Sequence, residues 1–432
     1  MRFALIQPRW EFGGSTYFGC PDTHMPLELL WARQQLEAAG HEALIVDAHL
    51  EGLAVGDAAR RVGAFTPEVV VLTTAPTYLF WRCPQPELRV PGAWMRSLRA
   101  ALPARVTTVA IGPHGSATPA AVLRKLGCDL VIQGEADQVL PEVVGNWSGL
   151  AGCAYREGGE IRVNPGVNQA DLRGLAALDW SGYPLERRRH RHHVFSGGGR
   201  GAEVEATRGC PWACTFCNKT LFRNRFRERR VEAVLAEAEE LARQGFTYVY
   251  FIDEIFGCGR QTAELLDGLE QLPLQFGMQT RIDLWDEASL AALGRAGCIS
   301  MECGIESVST EGRERFRKGC RLPAGRLRAL LAAARRVVPW VQANLIAADD
   351  DDVAAVQSWR QELIAEGVWV SQPVPVFAYP GTPLYLRLFG PPDERAWERA
   401  HAHYLEVNRG RGRYSDIQDP EPAALEALES AA

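Results

Sequence analysis

Short apolar runs bounded by polar or glycine-containing turns recur along the whole chain, and each is followed by a stretch of helical spacing. In the first part the runs are Phe3–Gln7, Ala43–Asp47, Val69–Thr73, Thr107–Ile111 and Leu130–Gln133, with helical segments such as Leu27–Ala39 and Ala117–Leu126 between them. A strand that is apolar along its full length must be covered on both faces. Alternation with helices supplies that cover, so the pattern predicts a Rossmann-like parallel sheet over residues 1–150. Ligands of such sheets bind beyond the carboxyl ends of the strands. A hairpin, Gly152–Tyr155 then Glu160–Val163 across Glu-Gly-Gly, closes this half. A linker rich in Gly, Arg and His follows, so that residues 151–200 read as hairpin and linker.

The second part repeats the alternation. Strands are predicted at Glu203–Thr207, Tyr248–Ile252, Gln275–Thr280, Ile299–Cys303, Val341–Ala347 and Val368–Phe377. The clearest helix is Val231–Arg243, where Val231, Val234, Leu235, Ala238, Leu241 and Ala242 fall on one face and Gly245 ends the run. Six strand–helix steps predict a partial (β/α)6 TIM barrel over residues 201–385, with the reacting site at the strand C-termini. Residues 386–432 are left as a helical tail. The fold class is therefore α/β throughout.

Composition sets the outer bounds. Of 432 residues, 47% are hydrophobic, enough for a large core, and the net charge of −6 argues against a general nucleic-acid binder. Eleven cysteines and an N-terminus that reads as a strand, not a targeting segment, predict a reducing, cytoplasmic setting without a disulfide framework. No apolar run approaches membrane-spanning length.

Cys210, Cys214 and Cys217 form a C-x3-C-x2-C loop within Arg-Gly-Cys-Pro-Trp-Ala-Cys-Thr-Phe-Cys-Asn. Three thiolates on one loop can hold three irons of a [4Fe–4S] cluster and leave the fourth iron open to a small molecule, whereas electron carriers supply four thiolates. A zinc site needs a fourth ligand. The nearest candidates, Cys258, His190, His192 and His193, are not at zinc-finger spacing. A core role for the three cysteines is disfavoured because Gly-Cys-Pro-Trp is a poor strand or helix.

This spacing, with Phe216 before the last cysteine, resembles the radical S-adenosylmethionine (SAM) superfamily. The resemblance implies a cluster whose open iron is chelated by SAM, and reductive cleavage of SAM to a 5′-deoxyadenosyl radical. Four further places match in order behind the loop, over residues 200–385. Asp253 or Glu254, at the end of the second barrel strand, stands where the superfamily contacts the SAM amino group. Arg281, ending the third, could pair with the SAM carboxylate. Gly304-Ile305-Glu306-Ser307 ends the fourth and is similar to a signature whose Glu accepts from the ribose hydroxyls, with Ser307 beside it. Tyr379-Pro380-Gly381-Thr382-Pro383 resembles the turn that closes such barrels.

The N-terminal part resembles the cobalamin-binding domain fused to many radical SAM enzymes, with Gly112-Pro113-His114 and Gly134-Glu135 at matching turns. Asp47-Ala48-His49-Leu50-Glu51-Gly52 carries a D-x-H-x-x-G pattern, but it follows the second strand instead of the first, and it reads as a polar turn rather than a cobalt ligand. The bulky stretch from Thr74 through Tyr78, Phe80, Trp81, Arg82 and Cys83 stands where a corrin would lie. Cobalamin binding is left open.

Asp349, Asp350, Asp351 and Asp352 follow the fifth barrel strand. Helix capping accounts for one or two of them. The excess negative charge predicts a cationic substrate, a polyamino sugar, with Asp349 and Asp350 as catalytic carboxylates. The basic runs Arg187–His193 and Arg223–Arg230 read as solvated surface, or as a docking patch for an acidic flavodoxin or ferredoxin. By layout and short tail the chain resembles the radical SAM proteins of aminoglycoside biosynthesis, including diol dehydratases. That implies loss of water from a 1,2-diol, with the keto-sugar reduced by a separate NAD(P)H-dependent partner. The alternatives are a cobalamin-dependent radical SAM methyltransferase and a non-catalytic iron–sulfur or zinc protein.

Overall fold

A computed structural model describes residues 1–10, 24–76, 88–188, 190, 199–348 and 351–407. The first sheet contains β1 (Arg2–Gln7), β2 (Glu42–Asp47), β3 (Val69–Thr73), β4 (Thr107–Ile111), β5 (Leu130–Ile132), β6 (Cys153–Glu157) and β7 (Glu160–Asn164), in the order β2-β1-β3-β4-β5-β6-β7. The first five strands are parallel, and the β6–β7 hairpin adds antiparallel to β5. Alternate residues divide between two cores, as the pleat requires. Ala4, Ile6, Val70, Leu72 and Ala110 face one core, while Phe3, Leu5, Val71 and Val109 face another that continues into the second half of the chain.

That second half carries β8 (Arg200–Val204), β9 (Thr207–Arg208), β10 (Arg227–Glu228), β11 (Phe246–Phe251), β12 (Gln275–Thr280), β13 (Cys298–Glu306), β14 (Trp340–Leu345) and β15 (Trp369–Val370). Six of them form an all-parallel sheet in the order β15-β14-β13-β12-β11-β8, the strands of a partial barrel, and β9 pairs antiparallel with β10 outside it. The helix Val231–Arg243 packs its Val231, Val234, Ala238 and Leu241 inward, as its periodicity requires.

Three expected elements differ. The strand expected at Glu203–Thr207 is broken between β8 and β9, because the Asp253 carboxylate takes Ala206 N at 2.9 Å and Thr207 Oγ1 at 2.7 Å. The helix expected at Ala117–Leu126 is two helices, Pro113–Ala117 and Pro119–Leu126, each with proline at its start. The strand expected at Val368–Phe377 shrinks to β15 and a single Ile346–Val374 bridge, since Pro373 and Pro375 have no N–H to give a ladder.

The C-terminal ends of the first sheet face those of the barrel. Asp47 at the end of β2 accepts from Tyr183 OH at 2.7 Å. Glu135 and Asp137, after β5, reach Arg208 and Arg227. The helix Ala396–Val407 lies over the same edge, with Trp397 Nε1 donating to Thr118 Oγ1 at 3.0 Å and its ring 4.5 Å from His114. Among the described residues no helix is long and apolar enough to cross a membrane.

Candidate active site

The cysteine loop sits between the two sets of strand ends and is held from several sides. Gly209, just before Cys210, has φ +82°, and a Cβ there would lie 2.0 Å from Arg225 O, so the approach requires glycine. Gly209 N donates to Glu254 Oε2 at 2.8 Å and Cys210 N to Arg223 O at 3.2 Å. Lys219 Nζ bonds Cys210 O and Trp212 O. Thr215 N donates to Phe316 O at 3.0 Å and Thr215 O accepts from Leu384 N at 2.9 Å, which ties the loop to the Pro-Gly-Thr turn. In that turn Gly381 has φ +87° and Thr382 caps the helix Pro383–Phe389. Phe216 meets Phe316 edge-on at 5.5 Å and packs against the small core of Phe377, Tyr379 and Tyr385.

Cys214 is buried, and Cys210 and Cys217 are half-buried. Burial pushes the Cys217 thiol up to about 12, against the opposing pull of Lys219, and raises Cys214 against Lys318. Bound metal deprotonates such thiols outright. Zinc at about 2.3 Å from each sulfur would draw its ligands to within about 4 Å of one another. Among the described residues the group of three donors lying within 4.8 Å is His24, His190 and Glu203, not the cysteines. Three thiols on one loop fit a polynuclear iron–sulfur cluster with one iron left open.

The His24–His190–Glu203 group is an ion-pair centre. Both imidazole Nδ1 atoms lie against Glu203 Oε1, at 2.9 and 2.7 Å, and Arg188 Nη2 donates to both carboxylate oxygens at 2.9 and 2.7 Å. All four side chains are buried. Burial brings His24 down to about 4, keeping it neutral, while Arg188 holds Glu203 well below its ordinary value despite burial. Arg188 already supplies the positive charge a metal would bring.

Asp253 and Glu254 both brace the cysteine loop. Asp253 bonds the 206–207 turn and is pushed up to about 7 by burial. Glu254 bonds Gly209 N and, at 2.6 Å, Arg223 Nη1. Arg281 forks onto Asp283 at 3.0 and 2.7 Å, donates to Lys318 O, and lies 4.1 Å over the Trp212 ring of the cysteine loop. Glu306 ends β13 where the register shifts after Gly304. Ser307 N closes onto Ile305 O at 2.9 Å, which puts Glu306 at φ +65°, a strained conformation for a residue with a side chain. Its Oε1 accepts from Lys318 Nζ at 2.6 Å, and a Cβ on Gly304 would lie 2.7 Å from that oxygen. Burial pulls Lys318 down, but Glu306 and the neighbouring groups more than offset this and leave it above its ordinary value. Lys318 was missed in the sequence. Its only signal is the Arg-Lys-Gly turn twelve positions after Glu306.

Two residues of the acidic run, Asp351 and Asp352, bond the protein itself. Asp351 accepts from Ser307 Oγ at 2.7 Å, Ser309 Oγ at 2.6 Å and Ser309 N at 3.0 Å. Asp352 caps the helix Val353–Ala365 through Ala355 N at 2.9 Å. Asp349 and Asp350, expected to be catalytic, lie outside the described residues, as do Tyr78, Phe80, Trp81, Arg82 and Cys83. The basic runs are not simply solvated faces either. Arg188, His190, Arg223 and Arg229 are buried, while His192 and His193 lie outside the described residues. The D-x-H-x-x-G match is a single turn of helix, Ala48–Glu51, with Asp47 capping Leu50 N at 2.9 Å and Gly52 ending it at φ +68°.

Residues 204–351 match the Radical SAM superfamily model. An uncharacterized methyltransferase of Pyrococcus horikoshii is 25% identical over 97% of this chain and 87% of its own length. Among solved structures, the radical S-adenosylmethionine methyltransferase TsrM from Kitasatospora setae superposes with a TM-score of 0.73 at 17% identity, covering 90% of this chain and 75% of its own. The cobalamin-dependent S-adenosylmethionine radical enzyme OxsB gives 0.67 at 14% identity, covering 99% of this chain and 70% of its own. These two likenesses establish a shared fold. With three cysteines on the loop after the first barrel strand, residues 204–351 carry a radical SAM domain, a partial barrel behind a Rossmann-like sheet, and the loop suits the [4Fe–4S] cluster and SAM that this superfamily implies.

Proposed function

We propose that this enzyme transfers a methyl group from SAM to a small-molecule acceptor with the help of cobalamin. One observation carries the reading: similarity to a methyltransferase runs through both domains, over 97% of the chain, and is not confined to the barrel. The expected aminosugar dehydration rested on Asp349 and Asp350, which lie outside the described residues, while Asp351 and Asp352 are engaged with the protein itself. Cys210, Cys214 and Cys217 would hold the cluster, which supplies the electron for SAM cleavage. Glu306, Lys318 and Arg281 line the adjoining strand ends, and Glu306 has a carboxylate to offer the SAM ribose. Cobalamin, when bound, carries the methyl group. Its place would be the C-terminal edge of β1, β3 and β4, which faces the cysteine loop. There Gln7 and Thr73 are buried and joined by a 2.6 Å hydrogen bond.

The test is anaerobic incubation of the reconstituted protein with SAM and a reductant, with and without added cobalamin, reading S-adenosylhomocysteine by mass spectrometry. Cobalamin-dependent S-adenosylhomocysteine formation supports methyl transfer. Release of 5′-deoxyadenosine alone, unchanged by cobalamin and with no corrin retained by the protein, counts against it.

A further inference from the structure

The sheet domain touches the cysteine loop through buried charge. Glu135 and Asp137 lie after β5 and are 1% and 0% exposed. Glu135 accepts from Arg227 through both oxygens, at 2.6 and 2.9 Å, and from Ala170 N at 2.7 Å. It also lies 3.2 Å from Arg223 Nε and 3.4 Å from Arg208 Nη1. Asp137 takes the fork of Arg208 at 2.8 and 3.1 Å, and Arg208 Nε donates to Glu205 at 2.8 Å. Arg223 continues to Glu254, whose other oxygen holds Gly209 N. Arg208 and Gly209 directly precede Cys210, and Cys210 N bonds Arg223 O. A continuous path of carboxylates and guanidinium groups therefore runs from the end of a sheet-domain strand to the two residues before the first cluster cysteine and to the residue whose carbonyl accepts from that cysteine's own N–H.

Removing one member of such a path leaves its partners buried and undercompensated. Charge acts strongly over short distances in a poorly solvated interior. Net charge and hydrogen bonding around an iron–sulfur cluster set its reduction potential. We propose that Glu135 and Asp137 are positioning residues through which the sheet domain fixes the seat of the cluster and tunes its reduction potential. This rests on the cluster assignment and is independent of methyl transfer. Removing the negative charge at Glu135 or Asp137 disfavours the extra electron less, so the midpoint potential rises. Removing Arg227, which pairs with Glu135 from the more exposed side, lowers it.

The experiment is a potentiometric titration, followed by electron paramagnetic resonance, of the full-length reconstituted protein and of Glu135→Gln, Asp137→Asn and Arg227→Gln, with iron and sulfide quantified in each. The expected result is a positive shift in the two carboxylate variants and a negative shift in Arg227→Gln. Shifts of one sign in all three variants point to general loosening of the loop and overturn the proposal, as do unchanged potentials with iron intact. If the carboxylate variants fail to fold, Arg227→Gln decides alone: a negative shift supports the proposal and no shift overturns it. The cluster assignment fails on a different observation, absence of iron and sulfide in the unaltered chain.

Discussion

Lys318 Nζ lies 2.6 Å from Glu306 Oε1, at the point where β13 turns through a positive φ. The pair joins the strained end of the fourth barrel strand to the turn after the helix Thr310–Arg315. Arg281 donates to the carbonyl of the same lysine while it stacks on Trp212, so the pair is also linked to the cysteine loop. Glu306→Gln should weaken SAM binding roughly tenfold or more, the equivalent of a charge-assisted hydrogen bond of about 1.5–3 kcal/mol, with iron content unchanged. Lys318→Met should weaken it too. The double variant should show less than the sum of the two effects, because the residues act as a unit. Anaerobic calorimetry with SAM checks this, and additive effects would show that the pair is not coupled.

Alanine at any one of Cys210, Cys214 or Cys217 should remove most of the bound iron and abolish SAM cleavage. Cys298, Cys303 and Cys320 are buried on or after β13 and should tolerate alanine with the cluster kept. Iron and sulfide assays beside 5′-deoxyadenosine measurement separate the two groups.

Gly209→Ala should cost at least about 1–3 kcal/mol, the price of a forced backbone at a left-handed position, and displace the Cys210 flank. The measurement is the urea midpoint of the protein without cluster, together with iron uptake on reconstitution. A variant with unchanged midpoint and full iron would show that the contact with Arg225 O relaxes freely.

Stability should vary with pH through buried carboxyls of opposite sense. Asp253 is raised from 3.8 to about 7 and Asp47 from 3.8 to about 6, both chiefly by burial. Their protonated forms favour the folded state, so their contribution is complete below about 4 and is lost as pH rises through 6 to 7. Glu135 is lowered from 4.5 to about 2: burial raises it, but Arg208, Arg223 and Arg227 more than offset this. Its contribution is present above about 4.5 and is lost as pH falls toward 2. Asp253→Asn should therefore flatten the decline in melting temperature between pH 4 and 7. An unchanged slope would show that Asp253 is ionised in the fold.

His49→Ala should leave any bound corrin in place, because Asp47 and Gly52 cap a single helical turn and account for the pattern around His49. Loss of corrin absorbance with the fold preserved would reassign His49 as a ligand.

Periodicity and spacing made the architecture legible. The apolar runs at Val69–Thr73 and Thr107–Ile111 are covered on both faces and became strands at those bounds. Proline content explains why the run after Val368 did not, and the Asp253 carboxylate explains the break at Ala206. Both corrections depend on hydrogen-bond bookkeeping that period alone does not carry. The cysteine loop was readable because one short segment holds all three thiols. The partners of Glu306, Asp351 and Glu135 were not readable, because they come from turns 12, 44 and up to 92 positions away in sequence. Of the four Asp, Asp351 and Asp352 bond the protein itself, and their donors at Ser307, Ser309 and Ala355 are not marked by the run of charge.

The most direct test of the account is electron paramagnetic resonance of the reduced, reconstituted protein before and after addition of SAM. The expected result is the signal of a reduced [4Fe–4S] cluster whose g-values change when SAM occupies the iron that Cys210, Cys214 and Cys217 leave open. A reconstituted protein without that signal, or with a signal indifferent to SAM, would contradict it.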